Sequence, residues 1–319
     1  MKAAVLHALG GIPRYEDFPD PEPAEDEVLV EVNAVAVENV DKMVAAGQHY
    51  ASGQFMTGFP AIPCFDGIGT LPDGSMVGFA TTRPPYGALA ERTVAASTHV
   101  RPVPEGIDPT LSVVLGSAIT GLTIRTAAGF QSGETVLIQG ATGVAGRLAV
   151  KVARLLGAGR VVVTGRDDTA LREVLALGAD EAINTAVPDE SLQKAFADAR
   201  GEGYDVVLDF LWGRPTEILL RALVPKELGF AKPTRLVQVG ESAGAELTVR
   251  AESLRTSGVE IYGAARGLSP TVMTEAYEQV LGWTRSRDLN FDVEVVPLSD
   301  VESAWQRTDL RGRRLVVVP

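Results

Sequence analysis

Apolar and polar positions first alternate along the chain. Val28, Val30 and Val32 interleave with Leu29, Glu31 and Asn33, and this two-residue period sets the valines on one face of a strand. Pro19, Pro21 and Pro23 force an extended lead-in to it. Residues 47–87 are dense in Gly and Pro and read as loops joining short strands. Within DGIGTLPDGSMVGFA, Asp73-Gly74 predicts a hairpin turn. The first third is therefore β-rich.

From about residue 118 the period lengthens. Thr135–Ile138 reads as a buried strand, after which Val144, Leu148, Val152, Leu155 and Leu156 recur at helical spacing until Gly157. Arg160–Thr164 is the next strand, followed by a helix over 169–177 capped from Asp168 or Thr169 and ended by Gly178. Further strands are expected at Asp205–Asp209, Arg235–Val239 and Val259–Tyr262, with Pro215 opening a helix between two of them. This alternation specifies an α/β fold with a parallel sheet covered on both faces. Beyond it, Ser269-Pro270 starts a helix with Met273, Tyr277, Val280, Leu281 and Thr284 on one stripe. Residues 299–302 spell a capping box, and the closing RRLVVVP is a strand that must join a sheet. The first domain's sheet suits it. That places one domain over 1–117 and 264–319, interrupted by a nucleotide-type domain over 118–263.

Composition narrows the partners. The 319 residues carry 29 Lys plus Arg against 41 Asp plus Glu, a net charge of −12. So acidic a chain has no attraction to nucleic acid or anionic membrane surfaces. No run approaches the roughly 18 apolar residues of a membrane span. The opening MKAAVLHALGG lacks a cleavage region and runs into an acidic, Pro-rich stretch, so it reads as a strand and turn of a cytoplasmic protein. Cys64 is the single cysteine, which excludes an intramolecular disulfide and a four-thiolate zinc site.

The sharpest motif is Gln139-Gly-Ala-Thr-Gly-Val-Ala-Gly146, lying between a predicted strand and a predicted helix. That is the context of a dinucleotide fingerprint, read here as A-x-G-x-x-G with Ala141 in the first glycine's place. Ala141, Thr142, Gly143, Val144 and Ala145 are then the phosphate-binding residues, the helix N-terminus supplying free N–H groups and its dipole. A plain glycine-rich turn is the alternative. The second strand ends in Gly165-Arg166, where an NAD site places an acid for the ribose hydroxyl and an Arg suits a 2′-phosphate. NADPH is the expected cofactor. Asp167 as the missing acid and Arg166 as a solvated surface residue remain open.

The segments VLIQGATGVAGRLAVKVARLLGA, AVENVDKMVAAG, PCFDGIG and LGADEAIN resemble the medium-chain dehydrogenase/reductase superfamily, in its zinc-independent quinone oxidoreductase branch. The resemblance spans the chain. It implies a Rossmann doubly wound sheet inserted into a GroES-like β-rich catalytic domain, with the active site in the cleft between them. It also implies that zinc is absent. Where zinc-dependent relatives have P-G-H-E-G this chain has Pro63-Cys-Phe-Asp-Gly67, and no cysteine ligand lies near Asn39-Val-Asp-Lys42. Cys64 is then a small buried residue.

Relatives of this branch carry Asn in an I-N-x-x-D pattern, but Glu38 takes that place here with Asn39 beside it. The tyrosine of their G-x-Y segment corresponds to Tyr50, one residue displaced, with His49 adjacent. Tyr50, His49 and Asn39 are the expected catalytic residues, the first two as proton donors; loop packing accounts for them equally. Resemblance alone assigns Thr120, Val239, Gly240 and Ala264 to the cofactor. Trp212, at the carboxyl end of a parallel strand, suits a cofactor wall and plain packing alike. The expected activity is NADPH-dependent reduction of a quinone or α,β-unsaturated carbonyl. An enoyl-thioester reductase of the same fold and a non-catalytic NADPH sensor are the alternatives. A homodimer paired through Val259–Tyr262 is expected.

Overall fold

The computed structural model describes residues 1–113, 115–227 and 231–319, Leu115 for its backbone only. The chain divides into two compact units, Met1–Leu115 with Leu281–Pro319, and Gly116–Val280. The second boundary thus falls 17 residues beyond the expected 263/264, because helix 270–285 belongs mainly to the second unit.

The first unit begins with β1 (Lys2–Val5), β2 (Arg14–Asp17), the long β3 (Glu27–Val37) and α1 (Asn39–Ala45). A short α2 (Ser52–Phe55) follows in the stretch expected to be loop. Then come β4 (Asp66–Thr70), β5 (Met76–Ala80), β6 (Arg92–Ala96), β7 (Val100–Pro102) and α3 (Pro109–Ser112). The β4–β5 hairpin forms as expected, Gly74 taking a left-handed φ of +88°.

The second unit runs α4 (Leu115–Gly121), α5 (Thr123–Thr126), β8 (Thr135–Gln139), α6 (Val144–Leu155), β9 (Arg160–Gly165) and α7 (Asp168–Ala176). It continues with β10 (Glu181–Asn184), α8 (Asp189–Ala199), β11 (Val206–Asp209), α9 (Gly213–Ala222), β12 (Thr234–Gln238), α10 (Ala251–Thr256), β13 (Val259–Gly263) and α11 (Pro270–Arg285). The chain returns to the first unit through β14 (Val293–Pro297), α12 (Val301–Trp305) and β15 (Arg314–Val318).

Every pairing in the second unit's sheet is parallel, in the order β10-β9-β8-β11-β12-β13. This is a doubly wound sheet whose strand order reverses between β8 and β11, the crevice where such folds bind ligands. Both faces are covered. Val136, Ile138 and Val163 pack under α6 on one face, and Leu137, Val162 and Leu236 under α8 and α9 on the other. In the first unit β15 lies antiparallel beside β3, so the closing strand joins the sheet expected of it. Two capping readings are corrected. Asp167, not Asp168 or Thr169, caps α7, its carboxylate accepting from Ala170 N–H at 2.8 Å. Residues 299–302 form no box, because a 3₁₀ turn over Leu298–Asp300 occupies the start and α12 begins only at Val301.

Candidate functional site

The glycine motif forms a turn between β8 and α6. Gly140, at φ +79°, is the left-handed residue. The tight turn therefore falls one position before Ala141, which is fully buried and donates its N–H to Thr164 O at 2.9 Å. Gly140 N–H is held by Thr164 Oγ1 at 3.0 Å. Gly143 is the N-cap of α6 with no side-chain hydrogen bond at the cap and no acid in the first turn. The first N–H groups, of Val144 and Ala145, keep their dipole uncompensated. A Cβ on Gly143 would meet nothing nearer than 3.9 Å, so the backbone is open there. On Gly146 a Cβ would sit 2.4 Å from Gly140 O, so only glycine lets the helix close on the turn. Arg147 Nε fixes Thr142 O at 3.0 Å. An anion such as a pyrophosphate fits this cradle.

Gly165 proves to be a packing glycine: a Cβ there would lie 2.5 Å from Thr142 Cγ2 and 2.9 Å from Leu171 Cδ2. Its lack of a side chain makes room for Thr142 and Leu171. Arg166 next to it is exposed and, among the described residues, makes no ion pair. Both neighbouring acids are occupied, Asp167 with its cap and Asp168 by Asn184 Nδ2 at 2.6 Å. Asp167 thus has one carboxylate oxygen committed to the α7 cap.

Thr120, Val239 and Ala264 come together. They line one cavity of about 360 Å³ with Gly116, Ile119 and Met273. Its wall is mostly apolar, and Thr120 Oγ1 is spent on Gly116 O at 3.1 Å. Gly240 and Trp212 do not line it. Gly240 N–H bonds Asp209 O at 3.1 Å, and Trp212 packs against the cluster under α8 and α9.

In the first unit Asn39 is exposed at the start of α1, and Tyr50 is 97% exposed. The His49 ring lies 4.2 Å from that of Tyr50. His49 Nδ1 accepts from Ala51 N–H at 3.2 Å, which leaves Nε2 as the protonated, donating nitrogen.

A group of carboxyls that sequence reasoning passed over meets where β3, α1, β4 and β15 begin or end. Glu38 Oε1 pairs with Arg314 at 2.9 Å, and Asp41 Oδ2 accepts from Glu38 N–H at 2.7 Å. Burial, then Asp66 and Glu38, push the Asp41 carboxyl well up. Burial and the Glu38 carboxylate push Asp66 up to about 7, against the pull of Arg314. Cys64 is buried as expected, at φ +63°, in the place where P-G-H-E-G has its glycine. Burial and then Asp41 push its thiol up. Among the described residues no three His, Cys, Asp or Glu side chains are grouped to hold a metal. Nor, among those residues, is any helix long and apolar enough to cross a membrane.

The pattern of the family described as zinc-binding dehydrogenase matches residues 145–286, a stretch that excludes Pro63–Gly67. The quinone oxidoreductase of Thermus thermophilus, whose structure was also solved in complex with NADPH, is 30% identical to the chain. Each chain is covered in full, with a TM-score of 0.78. The protein of Emericella nidulans named probable NADPH-dependent quinone reductase tdiC is 26% identical over 96% of both chains. Acryloyl-coenzyme A reductase of Sulfurisphaera tokodaii is 29% identical, the match covering 53% of this chain and 60% of that enzyme.

Proposed function

The chain belongs to the medium-chain dehydrogenase/reductase superfamily, in its quinone oxidoreductase-like branch, and on that footing we propose that it is a zinc-free, NADPH-dependent reductase of a quinone or an α,β-unsaturated carbonyl. One observation carries the cofactor choice. Arg166 stands unpaired after β9 while Asp167 and Asp168 are both engaged elsewhere. A free guanidinium favours a 2′-phosphate, and each neighbouring acid already has one oxygen committed within the protein.

When bound, NADPH supplies the hydride. The chain's own residues orient and exclude water. The Gly140–Ala145 turn and the α6 N-terminus hold the pyrophosphate, Arg166 the 2′-phosphate, and Thr120, Val239 and Ala264 the nicotinamide end in their apolar cavity. Reduction of a conjugated carbonyl builds negative charge on oxygen, and a hydrogen-bond donor there lowers the barrier. His49 Nε2 and the Tyr50 phenol are the donors of this reading, and Asn39 is a polar contact. The acryloyl-coenzyme A reductase relative supports a second reading, an enoyl-thioester substrate for the same chemistry. Calorimetric titration with each nicotinamide tests the cofactor assignment. NADPH should bind roughly ten- to a hundredfold tighter than NADH, and equal Kd values would overturn it.

A further inference from the structure

Among the described non-glycine residues of the second unit, Trp212 alone has a positive φ. At φ +54° and ψ −160° it occupies a region that belongs almost exclusively to glycine. A glycine, Gly213, follows it and is itself left-handed at φ +56°. The tryptophan is held in this geometry by Asp209, the last residue of β11. Its Oδ1 accepts from Leu211 N–H at 2.9 Å and from Trp212 N–H at 3.0 Å. Its Oδ2 accepts from the Thr216 hydroxyl at 2.6 Å, and Gln139 Nε2 donates to Thr216 Oγ1 at 2.9 Å. Asp209, Thr216 and Gln139 are all fully buried.

This relay touches both halves of the nucleotide site. On one side Gln139 is the residue before the glycine turn. The Leu211 side chain leans so closely on Gly140 that a Cβ there would lie 2.8 Å from Leu211 Cδ2. On the other side Asp209 O accepts from Val239 N–H at 2.8 Å and Gly240 N–H at 3.1 Å. Ala243 N–H bonds Leu211 O at 2.8 Å, and a Cβ on Gly240 would meet Phe210 O at 2.9 Å. The Asp209 carboxylate therefore fixes the turn after β11, and main-chain bonds of that turn tie it to the Val239 end of the cavity.

We infer that Asp209 is a positioning residue for cofactor binding, holding the turn after β11 in a glycine-type backbone that Trp212 adopts only under its constraint. The inference rests on the reading of this unit as an NADPH site. The Trp212 indole is not itself required, since its ring packs away under α8 and α9. Strain at a ligand crevice, offset by a buried polar relay, is the pattern of a preorganised site.

The relay makes specific demands on substitutions. In Asp209→Asn the amide oxygen replaces Oδ1, and the new N–H₂ faces Thr216. Gln139 Oε1, buried and without a partner among the described residues, then becomes an acceptor for the Thr216 hydroxyl once that side-chain amide turns over. Asp209→Ala removes the constraint, and Trp212 relaxes. A glycine at position 212 adopts the same backbone freely.

The test is NADPH affinity by calorimetry, with thermal melting beside it, on the parent and four variants. Asp209→Ala should weaken NADPH about tenfold, while Asp209→Asn stays within about threefold of the parent. Trp212→Gly should bind as the parent does, and the double variant Asp209→Ala with Trp212→Gly should recover to within about threefold. That rescue is what a merely structural role would not produce. Should Asp209→Ala fail to fold, Thr216→Val unhooks the same carboxylate oxygen. It should cost about threefold, also relieved by Trp212→Gly. Parental affinity in Asp209→Ala or Thr216→Val, or a loss that glycine at 212 does not relieve, overturns the positioning role alone. An unaltered chain that binds no NADPH overturns this inference together with the cofactor reading.

Discussion

Asp66→Asn should turn a pH-dependent stability into a flatter one. The Glu38, Asp41 and Asp66 carboxyls and the Cys64 thiol share a confined corner of the first unit. The facing cations are Arg314, paired to Glu38 at 2.9 Å, and Lys42, whose own pKa burial lowers. Asp66 therefore keeps its proton to about pH 7 in the folded protein, against about 3.9 in an unfolded chain. Between those values the folded state binds more protons than the unfolded one. Stability then falls as pH rises through the window and levels off above 7. At about 1.4 kcal/mol per pH unit the full effect is about 4 kcal/mol. The Asp66 residue as a whole is only half-buried, so screening by water leaves about 2 kcal/mol of it. An asparagine cannot ionise. The variant should match the parent near pH 4.5 and exceed it at pH 8 by about 2 kcal/mol, or about 4–8 °C in Tm. Paired thermal melts from pH 4.5 to 8.5 read this out. The difference between the two proteins is the observable, because a chain of net charge −12 is subject to general self-repulsion as well. A difference that does not change with pH, or one that favours the parent at pH 8, would refute the reasoning.

Other expectations follow from single residues. Arg166→Ala should cost NADPH about 1.5–3 kcal/mol of binding and leave NADH nearly unchanged, as paired titrations would show. Tyr50→Phe should lower kcat roughly tenfold with little effect on NADPH affinity. Unchanged kinetics there with an impaired His49→Ala would move the donor to His49. β13 ends the six-stranded sheet with its outer edge unpaired among the described residues and Ile261 37% exposed. Light scattering should then give twice the 33.7 kDa of one chain, and a single-chain mass at micromolar concentration would exclude the dimer.

Periodicity carried most of the fold. The β8–α6–β9 run and the closing strand announce themselves, because burial on one face writes a period of 2 or 3.6 into the sequence. β10 escapes periodicity because Glu181–Asn184 mixes a charge and an amide into a strand of four residues. The glycine motif is legible as a cradle, with Gly143 at the α6 N-cap and Gly146 packed on the turn, but the left-handed Gly140 is not. Which residue takes a positive φ depends on where the strand stops, and β8 runs one residue further than expected, to Gln139. Thr120, Val239 and Ala264 meet in one cavity although they lie far apart along the chain, a convergence that only strand order produces. The Asp209 relay left no local mark. It depends on parallel register placing Gln139 beside Asp209 on neighbouring strands. The carboxyl group around Asp41 was hidden likewise, its members lying on separate elements.

Hydride transfer from NADPH to a conjugated carbonyl without a metal is met most directly by single-turnover reduction with 4-deuterated NADPH and metal-stripped protein. The substrates offered are a simple quinone such as phenanthrenequinone, an enone and an enoyl thioester. Deuterium should appear in the quinone- or enone-derived product, or an equivalent isotope effect on NADPH oxidation where the product exchanges, at undiminished rate after chelation. NADPH bound but never oxidised, or turnover lost with about one zinc per chain and restored by adding it back, would contradict it.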